Sequence, residues 1–168
     1  MKAAGVMLAI VVAFALETTL SRFVRGIPAV DLLLVVVVYL ALNSGPVTGL
    51  LAGAVAGLVQ DYGVSNGIIG IGGLAKTIVG FLAGVIGTQF IVAQPFPRFV
   101  VFFGATVLSR AVTIGLGVLL DQRVFGSPYA DVATEAFVNA IVGVVVFQLA
   151  ELVPGAVERK GTSRTRVR

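Results

Sequence analysis

The sequence predicts an all-α polytopic membrane protein with six transmembrane helices, and two observations carry that reading. Hydrophobic residues make up 58% of the 168 and charged residues only 12%, giving a mean hydropathy of +1.06. Water-soluble domains are about half apolar even with glycine counted, and carry roughly twice that share of charge. The second observation is the stretch 30–59, which is almost uninterruptedly apolar and breaks once, at Asn43-Ser44-Gly45-Pro46. It exceeds the roughly 20 residues that one helical crossing needs, so it reads as a hairpin with both arms in lipid.

Hydropathy places the helices at 3–20, 28–43, 46–60, 74–93, 98–120 and 133–153. The first follows Met1-Lys2. Ala13-Phe14-Ala15 offers a small-residue cleavage site, but the apolar run continues to Leu20, which favours a span over a signal peptide. The second and third helices are short for full crossings. Between them and the fourth lie Gly63, Gly67, Gly70, Gly72 and Gly73. That density predicts an irregular or re-entrant stretch, tolerated at membrane depth only under protein cover. Gln94-Pro95-Phe96-Pro97 ends the fourth helix, since each proline removes a backbone donor and disfavours helix just before it. The sixth helix opens beside Glu135 and closes near Glu151.

Residues 1–157 therefore read as one six-helix transmembrane domain and 158–168 as a basic tail. Six spans put both termini on one side. The tail carries Arg159, Lys160, Arg164, Arg166 and Arg168, with Lys2 and Arg98 on the same side and Arg22, Arg25 and Arg123 on the other. The positive-inside rule then predicts cytoplasmic termini in a plasma membrane. The net charge of +4 is explained by this orientation, so nucleic acid is not an expected partner. The bilayer itself is one, and the tail is suited to anionic lipid.

Two groups of residues stand out as candidate functional positions. Gly45, Gly49, Gly53 and Gly57 recur every fourth residue, which lays a side-chain-free stripe along the third helix. In membranes such stripes let helix backbones approach closely. Asp61 continues the same spacing. The second group is charged: Glu17, Asp31, Asp61 and Glu135, with Lys76 and Arg110, gather in the outer half of the membrane under the predicted topology. Each costs several kcal/mol in lipid unless paired or hydrated. Asp61 and Lys76, joined by a short connection, are expected to interact, with Arg110 balancing Glu17 or Glu135. Glu151 is expected to face the headgroups. Three roles are open to the cluster: ion pairs that fix helix register, the border of an outward cavity that meets a partner, or a site for a solute or protons.

Chemistry is bounded by what is missing. The chain has no cysteine and no histidine, which excludes disulfides, thiol chemistry and the usual zinc or haem ligation. No nucleophile has a histidine base, and the glycine-rich stretches match neither a phosphate-binding loop nor a dinucleotide fingerprint. No enzyme activity and no cofactor are expected.

Several motifs together resemble a known family. Pro28 and Asp31-Leu32-Leu33-Leu34 are followed by Tyr39-Leu40-Ala41-Leu42, Gly45-Pro46, Gly49 and Gly53. Gly57-Leu58-Val59-Gln60-Asp61 and Ser65-Asn66-Gly67-Ile68-Ile69-Gly70 complete the pattern. This is similar to the MreD family of bacterial rod shape-determining membrane proteins. The resemblance implies a non-enzymatic scaffold of the cell-elongation (Rod) complex in the bacterial inner membrane. It implies MreC as partner, and through it MreB filaments, RodA and its transpeptidase partner in peptidoglycan synthesis. It also implies a fold like the substrate-binding subunits of energy-coupling-factor vitamin transporters. Such a subunit is the alternative function, although this chain has no tryptophan and only three tyrosines to line a vitamin site.

Overall fold

The computed structural model describes residues 3–23, 30–63, 70–89, 94–120 and 129–152. They form six helices: α1 (Ala3–Phe23), α2 (Leu32–Ser44), α3 (Pro46–Gly63), α4 (Ile71–Gln89), α5 (Pro95–Leu119) and α6 (Tyr129–Leu152). The tail at 158–168, Arg25, Arg123 and the segment 64–69 lie outside the described residues. Three helical stretches are long and apolar enough to cross a membrane: Ile71–Gln89, Pro95–Leu119 and Asp131–Glu151. The apolar parts of the first two helices, Gly5–Leu20 and Leu32–Ser44, are shorter.

Helix α2 is short because both of its ends are specified. Asp31 is its N-cap, its side chain accepting from the Leu34 N–H at 2.8 Å, so the helix starts after Pro28 rather than at it. At the other end Gly45 sits at φ +89°, a conformation that L side chains rarely adopt, and its N–H closes on the Ala41 carbonyl. Pro46 then opens α3, where its missing N–H costs nothing. One residue thus turns the chain between two antiparallel arms.

The other boundaries have equally local causes. Pro95 lies at the start of α5, so the proline pair begins that helix instead of separating it from the break by several residues. The glycine-dense stretch is a correction: Gly63 belongs to α3, while Gly72 and Gly73 lie in the first turn of α4. Gly70, at φ +112°, is the turn before it.

α2 occupies the middle of the bundle. Leu33, Leu34, Val35, Val37, Val38, Leu40 and Ala41 are buried, so the helix is covered nearly all round and has no polar face to show. On one side it joins Ile10 and Ala13 of α1 and Ala52 and Ala56 of α3. On the other it meets Val79 and Ala83 of α4, Phe102 and Ala105 of α5, and Ala140 and Phe147 of α6.

The closest seam is between α3 and α4. A Cβ at Gly49 would run into the backbone of Gly80, one at Gly53 into the backbone of Lys76 and Thr77, and one at Gly57 into Gly72 and Gly73. From the other side, Gly84 lies against Gly45 and Pro46, and Gly87 against Leu42. Lys76, Gly80 and Gly84 are therefore the face that meets the stripe. Gly45 differs from the rungs after it, because its left-handed φ makes the turn.

Candidate functional site

Charged and amide side chains from five helices converge where α2 begins. Asp31 accepts the ammonium of Lys76 from α4. Lys76 is itself 3% exposed, and its backbone lies in the α3–α4 seam against Gly53. Asn139 of α6, 1% exposed, accepts the Asp31 backbone N–H at 3.0 Å and directs its amide nitrogen to the Thr106 hydroxyl of α5 at 3.4 Å. Glu17 of α1 accepts the Leu33 N–H at 3.2 Å and the Gln60 amide of α3 at 2.8 Å. The first turn of α2 has N–H groups with no partner inside the helix, and these contacts supply them. Asp31, paired with the Lys76 ammonium, also puts negative charge at the positive end of that helix.

Arg110 pairs with Glu135, Nε to Oε2 at 2.8 Å, so of the two acids open to it the sixth helix supplies the partner. That pair is one rung of a regular ladder. Along α5, Arg98, Phe102, Thr106 and Arg110 recur every fourth residue, and along α6 Phe147, Gly143, Asn139 and Glu135 do so in the opposite direction. Each meets its counterpart: the Arg98 guanidinium carbon lies 3.9 Å from the Phe147 ring centroid, and a Cβ at Gly143 would enter the Phe102 ring. Thr106 to Asn139 and Arg110 to Glu135 complete the series.

Asp61 does not meet Lys76. Its Oδ2 accepts the N–H groups of Gly70 and Gly73, at 2.7 and 3.1 Å, and so caps α4 from the end of α3. The chain arriving at α4 presents these free donors to the acid before it reaches Lys76, a further turn into the helix. The lysine is matched instead by Asp31, 45 residues earlier. Glu151 keeps its side chain half exposed and is also paired. It accepts Arg98 in a two-pronged pair, Nη1 to Oε2 at 3.0 Å and Nη2 to Oε1 at 2.7 Å, and Arg98 is 5% exposed. An arginine counted as a surface orientation signal is thus itself buried, and it ties the far ends of α5 and α6 through a half-exposed carboxylate. Phe147 in turn stands edge-on to Tyr39 of α2, with ring centroids 5.1 Å apart.

Among the described residues, no group of three or more acids, histidines or cysteines could hold a metal. Nor does any buried side-chain nitrogen or oxygen there lack a hydrogen-bond partner. The arrangement joins helices. The family model for rod shape-determining protein MreD matches residues 1–153, nearly the whole chain.

The chain belongs to the MreD family. MreD proteins are rod shape-determining membrane proteins, and the three long apolar helices accord with a membrane location. No curated protein and no solved structure matches the chain, so the expected likeness to vitamin-binding subunits has no counterpart there.

In this MreD-family chain the six charged candidates divide into distinct units. Asp31 pairs with Lys76, Arg110 with Glu135, Glu17 is held by neutral donors, and Asp61 stands apart as a cap. Sequence reading missed Gln60, Thr106 and Asn139, whose amide and hydroxyl groups fill the spaces between the charges. Asn139 had one signal, an amide midway along an apolar helix, where membrane helices use such groups across their interfaces. Asp61→Asn keeps an oxygen acceptor and loses the charge. It should lower stability by only about 1 kcal/mol, the scale of a lost cap. Thermal unfolding in a single detergent measures this, and a much larger loss would show that the acid does more than cap α4.

Proposed function

We propose that this chain is a non-enzymatic scaffold of the bacterial cell-elongation complex that binds MreC. By this reading it helps couple MreB filaments to peptidoglycan synthesis by RodA and its transpeptidase partner. It crosses the inner membrane six times, with both termini in the cytoplasm. The observation that carries the reading is the use of polar groups in the bundle: they are paired across helices, in a chain that belongs to the MreD family. A centre spent on internal ties suits a protein whose product is a fixed surface. The six-span topology draws on the helix order and on the basic residues at 159–168.

Co-expression with MreC, followed by purification through a tag on this chain, tests the proposal. The expected result is a complex that stays together through size-exclusion chromatography in mild detergent. Recovery of the chain without MreC, carrying a vitamin identified by mass spectrometry, would overturn the scaffold reading in favour of a transporter subunit.

A further inference from the structure

Helix α3 is too short for the membrane that α5 fits. Its apolar wall runs over 47–59, between Pro46 and the polar pair Gln60-Asp61, a height of about 20 Å at 1.5 Å per residue. Thr48 does not lengthen the polar margin, because its hydroxyl is returned to the Ser44 carbonyl. A bilayer's hydrocarbon core is about 30 Å thick. Counted end to end, the 18 residues of α3 rise about 27 Å and the 25 residues of α5 about 37 Å.

A short span has few remedies. Tilting only lowers its height further. Snorkelling needs long basic side chains near the ends, and α3 contains no lysine or arginine. Sliding toward one surface is blocked, because Gly49, Gly53 and Gly57 interlock with the α4 backbone and Asp61 is bonded to Gly70 and Gly73. Cover by another helix is disfavoured by the chemistry of the outer face. Val47, Leu51 and Leu58 are exposed there, bulky and without hydrogen-bonding groups, while the small residues that bring membrane helices together are already used against α4. Tyr62, 85% exposed at the end of this wall, is the kind of side chain that settles at a headgroup boundary.

We propose that the α3 face is bordered by a locally thinned bilayer and selects lipids with shorter acyl chains than those around α5. The inference rests on reading α3 as a membrane span. A protein of this shape is a wedge in thickness, low on one flank and tall on the other.

The absence of tryptophan makes the test local, since Leu51→Trp on α3 or Val107→Trp on α5 adds a single fluorophore at an exposed position. Each variant is reconstituted in mixed vesicles of dimyristoleoyl- and dierucoyl-phosphatidylcholine, with one or the other lipid brominated as quencher. At Leu51→Trp the shorter lipid should be preferred by about threefold or more, and at Val107→Trp no such preference should appear. Equal preferences at the two sites would overturn the proposal. So would the absence of quenching by either lipid at Leu51→Trp, and acrylamide then separates the causes. Quenching by acrylamide means that α3 lies in water, and the six-span reading fails as well. Protection from acrylamide means that protein covers α3, and the six-span reading stands.

Discussion

A Gly53→Ala variant should fail to accumulate as a folded protein, because its one added methyl group falls on the main chain of Lys76 and Thr77. Side chains can rotate away from such an intrusion, but a helical backbone cannot. Relief requires α3 and α4 to part, which also loses the contacts at Gly49 and Gly57 on either side. Overpacking of ordinary cores costs about 1–3 kcal/mol, and a seam with no side chain to yield should reach or exceed the top of that range. The control is built into the same molecule: Gly104 and Gly115 on α5 have nothing within 4 Å of a Cβ. Thermal unfolding by circular dichroism should find Gly104→Ala and Gly115→Ala close to wild type. If Gly53→Ala melts with them, the two backbones do not touch.

The second large effect belongs to Lys76. Lys76→Met leaves the Asp31 carboxylate at the start of α2 without its cation, in a site whose side-chain exposure is 16%. Breaking a buried pair from one side costs about 3–5 kcal/mol. Combining Lys76→Met with Asp31→Asn should cost less than the two single losses added together, since the asparagine oxygen can still accept from the Leu34 N–H. Denaturation midpoints of the four proteins complete the cycle. Strict additivity would show that the two groups do not interact.

The order and number of helices were legible in the sequence because long apolar runs and their breakers are local signals. Asn43-Ser44-Gly45-Pro46 marks its turn wherever the rest of the chain goes. The spacing of Gly49, Gly53 and Gly57 likewise announces a close approach, and Gly80 and Gly84 carry the matching interval on α4. Ion-pair partners are a different matter. Neighbouring helices at similar depth made Asp61 and Lys76 an obvious match, yet hydropathy is blind to free backbone donors, and Gly70 and Gly73 took the acid. Asp31 and Lys76 are joined only by the way α2 settles between the other helices, which no local pattern encodes. Arg98 and Glu151 fall into line only after α5 and α6 are laid antiparallel in the correct register.

The two hairpins differ in how freely they can change over evolutionary time. Between α5 and α6 three of the four rungs are pairs of side chains, so Arg110 and Glu135 could exchange places, or Thr106 and Asn139 give way to an apolar pair, with the helices left where they are; Gly143 against the Phe102 ring is the exception. Such a seam can drift by compensated steps. Between α3 and α4 there is nothing to trade. Glycine is already the smallest residue, and no second substitution makes room in a backbone for a first. That hairpin can vary on its outer face and where it offers only backbone, as at Lys76 and Thr77, while Gly49, Gly53, Gly57, Gly80 and Gly84 are each held to glycine.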